Sequence, residues 1–484
     1  MKRKRIVILL ACAALLLGAV CFILLWPRES ETLAAPDASA VLREKTQMLS
    51  STVLRVTADD SLSVLSCTQE TTYINQTGVT LDRVQLRLYP NAFKRASTTP
   101  LSGDTLSLGE VFVTGVRVNG RAAAWAVCES DETVLDVPVT LAPGASCALA
   151  LDYTITLPDA SWRLGQSAGA ALYGNAFAHV AVYENGRFRD DAYGAIGDPF
   201  YADAQNITLH LTLPEGVTAA VGGALRAQEG STYTYECLGV RDVSLALSRQ
   251  YHVAQALHDG TLVSVYARSG KNARETLKTA LNVLDMYEAL FEYAYPYPTL
   301  TFAQGDLGVY GGMEYSAYAV IGDASYDTGG DALELIIAHE IAHQWFGVLV
   351  GSDPINEPWL DEAMSEYASL LYLEKAHGER AFEEYYARKI EPSLRITRPF
   401  GVTTGAPLYV FASMSEYAQT VYQRGAGMLH GIREAVGLEA FCDFVNLYVN
   451  RYAFSRVDRD GFAATLREAT GSDWTGYLDD YLDD

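Results

Sequence analysis

The spacing of apolar residues changes character twice along the chain. Ile6 to Trp26 is an uninterrupted uncharged run. From about residue 46 to 248 the period is two. Thr80-Leu-Asp-Arg-Val-Gln-Leu-Arg-Leu-Tyr89, Thr208-Leu-His-Leu-Thr-Leu213 and Val243-Ser-Leu-Ala-Leu-Ser248 alternate apolar and polar positions, as strands with one buried face do. Asn119-Gly120, Pro143-Gly144 and Pro214-Glu-Gly216 are turn signals between such runs. From about residue 270 the period lengthens. Leu277, Leu281, Leu284, Tyr287 and Phe291 share one face of a helix that begins near Asn272. Helical stretches follow at about 330–349, 357–377, 379–392, 417–436, 438–453 and 459–482. One segment, Leu300 to Ile321, interrupts them with strand character, and there is no internal repeat. The pattern predicts an α+β multidomain chain: an N-terminal segment 1–27, a polar Ala/Pro-containing stalk 28–45, a β-rich domain 46–253 and a mainly helical domain 254–484.

The first segment fits a membrane span. Its 21 apolar residues form a helix of roughly 30 Å, enough to cross a bilayer. A cleaved signal peptide has a shorter apolar core, about 7–15 residues, and no small-x-small site follows here. Lys2, Arg3, Lys4 and Arg5 should stay in the cytoplasm and place the rest outside. The expectation is a single-pass membrane protein with its domains extracytoplasmic. Secretion after signal cleavage, and lipidation at Cys12 or Cys21, are the alternatives.

Composition narrows the classes further. With 484 residues, 49% of them hydrophobic and 20% charged, the chain can bury large cores and is not a disordered or low-complexity fibre. The net charge is −23, and residues 28–484 alone carry −27 once the basic cluster is set aside. That sign repels phosphate backbones and argues against nucleic acid as a partner. Five cysteines lie outside the span: Cys67, Cys128, Cys147, Cys237 and Cys442. Cys128 and Cys147 either bridge neighbouring strands or are buried thiols. Asn75-Gln-Thr77 and Asn206-Ile-Thr208 match the glycosylation pattern.

The chemistry sits in His339-Glu-Ile-Ala-His343, inside the apolar helical stretch Leu333 to Val350. Residues four apart share a helix face, so both imidazoles point the same way and suit Zn²⁺. Glu340 lies beside them as a base rather than a ligand. A catalytic zinc site needs a third protein ligand and one open position. Glu362 supplies it, in Trp359-Leu-Asp-Glu-Ala-Met-Ser-Glu-Tyr367, after a connector with two prolines that can turn the chain back. Glu366, one turn on, can accept the outer N–H of a ligand histidine.

These residues resemble the aminopeptidase N and leukotriene hydrolase family of zinc metallopeptidases, the gluzincins. The family pattern, HExxH, eighteen residues and a Glu within Trp-Leu-Asn/Asp-Glu, runs here from His339 through Glu362. Gly311-Gly312-Met313-Glu314-Tyr315 is similar to its Gly-x-Met-Glu-Asn strand, with Tyr315 for Asn. Tyr422-Gln-Arg-Gly-Ala426 is similar to its Tyr-x-Lys-Gly-Ala segment, with Arg424 for Lys. Leu88-Tyr-Pro-Asn-Ala-Phe93 and Gly197-Asp-Pro-Phe-Tyr201 resemble stretches of its N-terminal domain. The resemblance spans roughly residues 55–484. It implies an all-β saddle-like domain followed by a thermolysin-like, mainly α-helical zinc peptidase domain.

It also implies roles. His339, His343 and Glu362 hold one Zn²⁺, Glu340 is the general base and Tyr422 hydrogen-bonds the oxyanion. Glu314 binds the α-ammonium of a peptide with a free N-terminus. Gly311, Gly312 and Met313 belong to the strand an extended substrate pairs with. A second amine-binding residue is expected within 185–200. Relatives have Gly after the third ligand and a Glu seven residues beyond it, where this chain has Ala363 and Ser369. Larger relatives add a helical domain after this point, and the chain as given reaches Asp484, so a more open cleft is expected. The leading reading is a zinc aminopeptidase acting outside the cytoplasm. An open-cleft endopeptidase, or a non-catalytic surface binding module, are the alternatives.

Overall fold

The computed structural model describes residues 33–101, 107–128 and 132–483. The expected span lies outside the described residues. Among those described, no helix is long and apolar enough to cross a membrane.

The period-two region folds as expected into sheets. The largest has eight strands, in spatial order 224–229, 232–240, 205–212, 51–58, 64–74, 146–156, 110–118 and 121–122. Ser51–Ala58 runs parallel to Gln205–Thr212, Ser51 opposite Asn206, and antiparallel to its other neighbour, Val64–Ile74. Alternation is clean: Leu54, Val56, Leu65 and Leu149 face inward, while Arg55, Thr57 and Thr68 face out. Asn119 and Gly120 take φ of 50° and 77°, the left-handed pair a two-residue hairpin between Val118 and Arg121 requires. Two four-stranded sheets pack beside it. One joins 218–221, 245–248, 170–173 and 164–167; the other joins 179–180, 81–87, 134–141 and 126–127.

Residues 33–46 do not stand off as a stalk. Ala40–Thr46 is a short helix capped by Ser39, whose Oγ accepts the Leu42 N–H at 3.1 Å. Ala38, Leu42 and Thr46, spaced by four, bury one face against the β domain. Arg43 pairs with Glu236 at 3.0 Å, and Arg226 donates to the Pro36 carbonyl at 2.8 Å. Cys147 is a free buried thiol, so the bridge to Cys128 is not made. Both glycosylation patterns are tied up. Buried Asn75 donates to the carbonyls of Val79 and Leu141, and Asn206 to that of Thr46.

The second half is built on a five-stranded sheet ordered 252–258, 261–267, 299–305, 318–322 and 312–315. Its first strand starts at His252, at the edge of the expected domain boundary. Helix Gly270–Phe291, N-capped by Ser269, packs on it through Val283, Leu284 and Tyr287. Several expected helices are shorter or broken. The stretch 330–349 is helical only over Gly330–Ala342, because Gly347 takes φ of 103° and the following amides turn back to His343, Gln344 and Trp345. The stretch 459–482 splits into Arg459–Thr470 and Thr475–Leu482 at Gly471, whose φ of 69° ends the first helix. The stretches 379–392 and 417–436 each contain a π-helical turn, Tyr386–Ile390 and Ala418–Gln423.

Candidate active site

The two histidines sit at the end of helix Gly330–Ala342, which is anchored from behind. Tyr287 donates to the Ala338 carbonyl at 3.0 Å, and Trp345 fills an aromatic cluster with Tyr287 and Phe291. The chain then turns through 343–358 and starts helix Trp359–His377 right after Pro358. Glu362 lies in the first turn of that helix, where the dipole favours a carboxylate. The two helices bring three ligand atoms together. His339 Nε2 and His343 Nε2 are 3.0 Å apart, and Glu362 Oε2 lies 3.4 and 3.2 Å from them.

The opposite edges of the rings face an acceptor each. His343 Nδ1 faces the Phe346 carbonyl at 3.2 Å, and His339 Nδ1 faces Glu366 Oε2 at 3.4 Å. Glu366 is thus near His339 without a hydrogen bond to it, and a backbone carbonyl serves the other ring. With Nδ1 as the donor on each ring, two Nε2 lone pairs and a carboxylate oxygen converge on one point. Glu362 Oε2 is buried without a hydrogen-bond donor. Such a cluster of acceptors is repulsive unless a cation sits among them, and an N₂O donor set with one open side suits Zn²⁺. His258, Asp259 and Glu288, and Asp331, Glu334 and His377, also lie close enough to share an ion, but each group has exposed members.

Glu340 is buried beside the cluster, with Oε2 unpartnered. Burial pushes its carboxyl up to about 7, against the pull of His339 and His343. Burial also raises Glu362, but the two imidazoles beside it outweigh that and hold the group well below the usual carboxylate range. Tyr422 is carried by the π-helical turn Ala418–Gln423, a distortion that recurs at functional sites. Its ring stacks on His339 at 5.6 Å, and its hydroxyl donates to Glu362 Oε1. Burial keeps the phenol protonated far above neutral pH.

The strand Gly312–Tyr315 forms the edge of the five-stranded sheet. Gly312 faces Glu340 so closely that a Cβ there would lie 2.2 Å from its carboxylate oxygen. By the period of a strand, Glu314 faces the same way. Met313 and Tyr315 face the other way, into a core with Leu172, Tyr318 and Val320. The Met313 side chain is therefore packing, and only its backbone belongs to the cleft. Tyr315, at the position of the family's Asn, also points away from the histidines. Gly311 is held by its carbonyl, which accepts from Gly322 N and Ser325 Oγ. Gln344 ties the strand to the ligand helix, accepting from Ala317 N at 2.9 Å and donating to the Tyr315 carbonyl at 3.0 Å.

Three contributors escaped the sequence reading. Asp198, within the expected 185–200 region, lines a cavity of about 70 Å³ together with Glu314, Asp361 and Asn175. Arg163, also from the β domain, is buried against Asp198 and has its guanidinium over Phe200 at 5.3 Å. Asp361 accepts the Glu362 N–H at 2.7 Å. Asp198 was flagged by Gly197-Asp-Pro-Phe-Tyr201, but nothing local marks Arg163. The departure at Ala363 is answered by Gly425, where a Cβ would lie 2.5 Å from that of Ala363. Burial first, then mutual repulsion with Asp198, pushes Glu314 well above the usual carboxylate range.

Residues 275–481 match the description "Peptidase family M1 domain". Over these residues the chain is similar to peptidase family M1. It is 25% identical over 342 residues to aminopeptidase N of Lactococcus lactis, covering 62% of this chain and 38% of that one. It is 28% identical over 222 residues to human endoplasmic reticulum aminopeptidase 2, covering 43% and 23%. The chain thus spans well under half the length of these curated relatives. A mutant of the M1 zinc metallopeptidase from Deinococcus radiodurans, solved with a Tyr-Ser-Ala substrate, shares the two-domain fold. Its TM-score is 0.63 at 19% identity, over 90% of this chain and 95% of that one. His339, His343 and Glu362, the zinc-binding cluster, lie within the matched residues.

Proposed function

We propose that the protein is a zinc aminopeptidase, hydrolysing the first peptide bond of peptides with a free N-terminus. The observation that carries this is the placement of Glu314 on an edge strand whose same face touches the general base beside the metal ligands. An edge strand offers its free backbone groups to an extended peptide. Gly312 allows that peptide to approach Glu340. Glu314, Asp198, Asp242 and Asp361 line one small cavity with a single arginine, Arg241, and Asp198 also pairs with Arg163 from outside it. This excess of negative charge favours an α-ammonium over a neutral acyl group. A carboxylate fixed there leaves about one residue between the amine and the reacting carbonyl, the geometry of an exopeptidase.

When bound, Zn²⁺ lowers the pKa of a coordinated water to about 7 and polarises a carbonyl. Glu340, buried and with a free carboxylate oxygen, takes a proton from the attacking water and returns it to the leaving amine. Tyr422 presents a protonated phenol at the edge of the ligand set, placed to donate to oxygen charge that develops on the carbonyl. The Phe346 carbonyl holds the His343 imidazole in the Nε2-acceptor tautomer, and Glu366 lies near enough to His339 Nδ1 to favour the same form there.

The run Ile6–Trp26 behind four basic residues supports a single-pass anchor with the domains outside the cytoplasm. Protease digestion of intact cells checks this, since protection of the domains would reject it. The activity is tested by fluorophore release from aminoacyl amides with and without chelator, beside the same substrates N-acetylated. Chelator-sensitive release that needs the free amine is the expected result. Cleavage of amine-blocked peptides at internal bonds would instead establish an endopeptidase. No hydrolysis of either kind would point to a binding module.

A further inference from the structure

The β domain reaches into the connector that joins the two ligand helices. Arg189 is buried, and it donates through Nε to Asp191 Oδ2 at 2.7 Å and through Nη1 to Glu184 and to Asp353 Oδ2, the latter at 2.5 Å. Its guanidinium lies over the Tyr201 ring at 5.2 Å. Asp353 belongs to the connector Gly351–Pro358, and its carboxylate organises that loop. Oδ1 accepts the N–H groups of Ile355 and Asn356 at 3.0 and 3.1 Å, and Oδ2 accepts from Asn356 Nδ2 at 2.7 Å. Backbone bonds continue from there into the helix: Glu357 N to the Asp353 carbonyl, Leu360 N to that of Glu357, and Glu362 N to that of Pro358. The third zinc ligand therefore sits on a turn whose shape is set by Asp353, and Asp353 is held by a guanidinium from the other domain.

A second arginine from the β domain braces the near end of the same connector. Arg241 donates to three carbonyls from three segments, Val348 at 2.8 Å, Ala202 at 2.9 Å and Ser455 at 2.6 Å. It lies so flat against Gly351 that a Cβ there would meet the guanidinium at 2.2 Å. The connector is thus held on both sides, at Gly351 and at Asp353, by side chains outside the catalytic domain.

We infer that Arg189 is a positioning residue for the metal centre: through Asp353 it fixes the start of helix Trp359–His377, and so the place of Glu362 relative to His339 and His343. The inference rests on those three residues being the zinc ligands. Groups that orient ligands without touching the metal commonly set metal affinity by 10–100-fold. Arg189 suits the task because its planar guanidinium reaches three carboxylates from nitrogens held in a fixed geometry, which the flexible point charge of a lysine does not provide.

The test is zinc affinity, measured on the purified chain by competition with a chromophoric chelator, together with melting of the apo and zinc-loaded forms. Arg189→Met should raise the zinc Kd about 10–100-fold and shrink the rise in Tm that zinc produces. Arg189→Lys should fall between parent and R189M. Asp353→Asn should weaken zinc binding too, and the double variant R189M/D353N should be no worse than the weaker single variant, because both act through one contact. A zinc Kd within twofold of the parent, with apo and loaded Tm falling together, would show a purely structural ion pair and overturn the assignment. If R189M does not fold, R189K decides by the same criterion. Zinc affinity needs no substrate, so a parent that binds zinc but cleaves nothing would reject the aminopeptidase reading and leave this one standing.

Discussion

The two domains place their charged groups in opposite ways. The β domain buries guanidinium groups, Arg163 and Arg189 among them, and each meets carboxylates close by. The catalytic domain buries carboxylates. Glu340, Asp361 and Glu362 are 5%, 8% and 3% exposed, and among the described residues none of them pairs with a Lys or Arg. Glu362 lies instead against the two imidazoles. A buried charge without compensation costs several kcal/mol, so this arrangement makes physical sense only if cations arrive from outside. The two expected arrivals are Zn²⁺ and a substrate ammonium. The buried arginines of the β domain are compensated, one of them partly across the domain boundary by Asp353, and serve as a scaffold; the carboxylates beside the histidines are left open, and that is where the chemistry belongs.

The sharpest way to break this contrast is to neutralise the buried carboxylate that holds no metal. Glu340→Gln keeps shape and hydrogen-bonding capacity but removes the base. We expect kcat/KM on aminoacyl amides to fall about 10³-fold, with zinc content and Tm essentially retained. Unchanged turnover in a zinc-replete E340Q protein would remove Glu340 from the mechanism. Tyr422→Phe removes one donor at the edge of the ligand set and should cost about 10²-fold in kcat with little change in KM. A loss confined to KM would mean the hydroxyl serves substrate binding instead. Gly312→Ala probes spacing rather than charge. The added Cβ meets the free end of the Glu340 side chain, which can move. Stability should therefore change little, while the displaced base lowers kcat about tenfold or more. A G312A protein with parental kcat and Tm would show the strand to be further from Glu340 than the structure has it.

The same contrast explains what the sequence could and could not disclose. The β domain was legible because its strands have one wet face. The burial of Ser51–Ala58 and Ser146–Thr156 alternates almost without error. In the catalytic half that signal fades. Thr299–Gly305 is buried at every position, and helix Trp359–His377 is buried nearly all round, so periodicity cannot rank its faces. What remained legible there was chemistry at fixed spacing: helix geometry makes His339 and His343 neighbours, and likewise Glu362 and Glu366, and the turn between the two helices brings the pairs together. Partners far apart in the chain left no trace. Arg163 meets Asp198 across 35 residues, and Arg189 meets Asp353 across 164. The stalk reading failed because a polar, Ala/Pro-containing segment hid three residues, Ala38, Leu42 and Thr46, at helical spacing. The helix breaks at Gly347 and Gly471 were foreseeable from glycine alone, but a lone glycine inside a periodic run is ambiguous until its φ is known.

The smallest expected effect separates the two domains by pH. In the β domain His179 is buried against Tyr89, at 5.2 Å between rings, and burial together with nearby Arg87 lowers its pKa to about 4. The unfolded chain binds that proton near 6.5, so His179 stabilises the fold above 6.5 and loses its contribution as pH falls from there through 4. In the catalytic domain Glu357 accepts the Arg459 N–H at 3.0 Å, and burial raises its pKa to about 7. Here the folded state holds the proton more tightly, so the contribution is present below the unfolded value near 4.5 and is lost as pH rises through 7. His179→Phe, which keeps an aromatic ring on Tyr89, should flatten the acid side of the stability profile by on the order of 2–3 kcal/mol. Glu357→Gln should flatten the neutral side by about 1 kcal/mol, reduced because the carboxylate retains solvent contact. Urea midpoints measured from pH 4 to 8 on both variants check the signs. The comparison stands if each variant alters its own side of the profile, and a profile that keeps its parental shape in either would show that group to be titrating at its ordinary pKa.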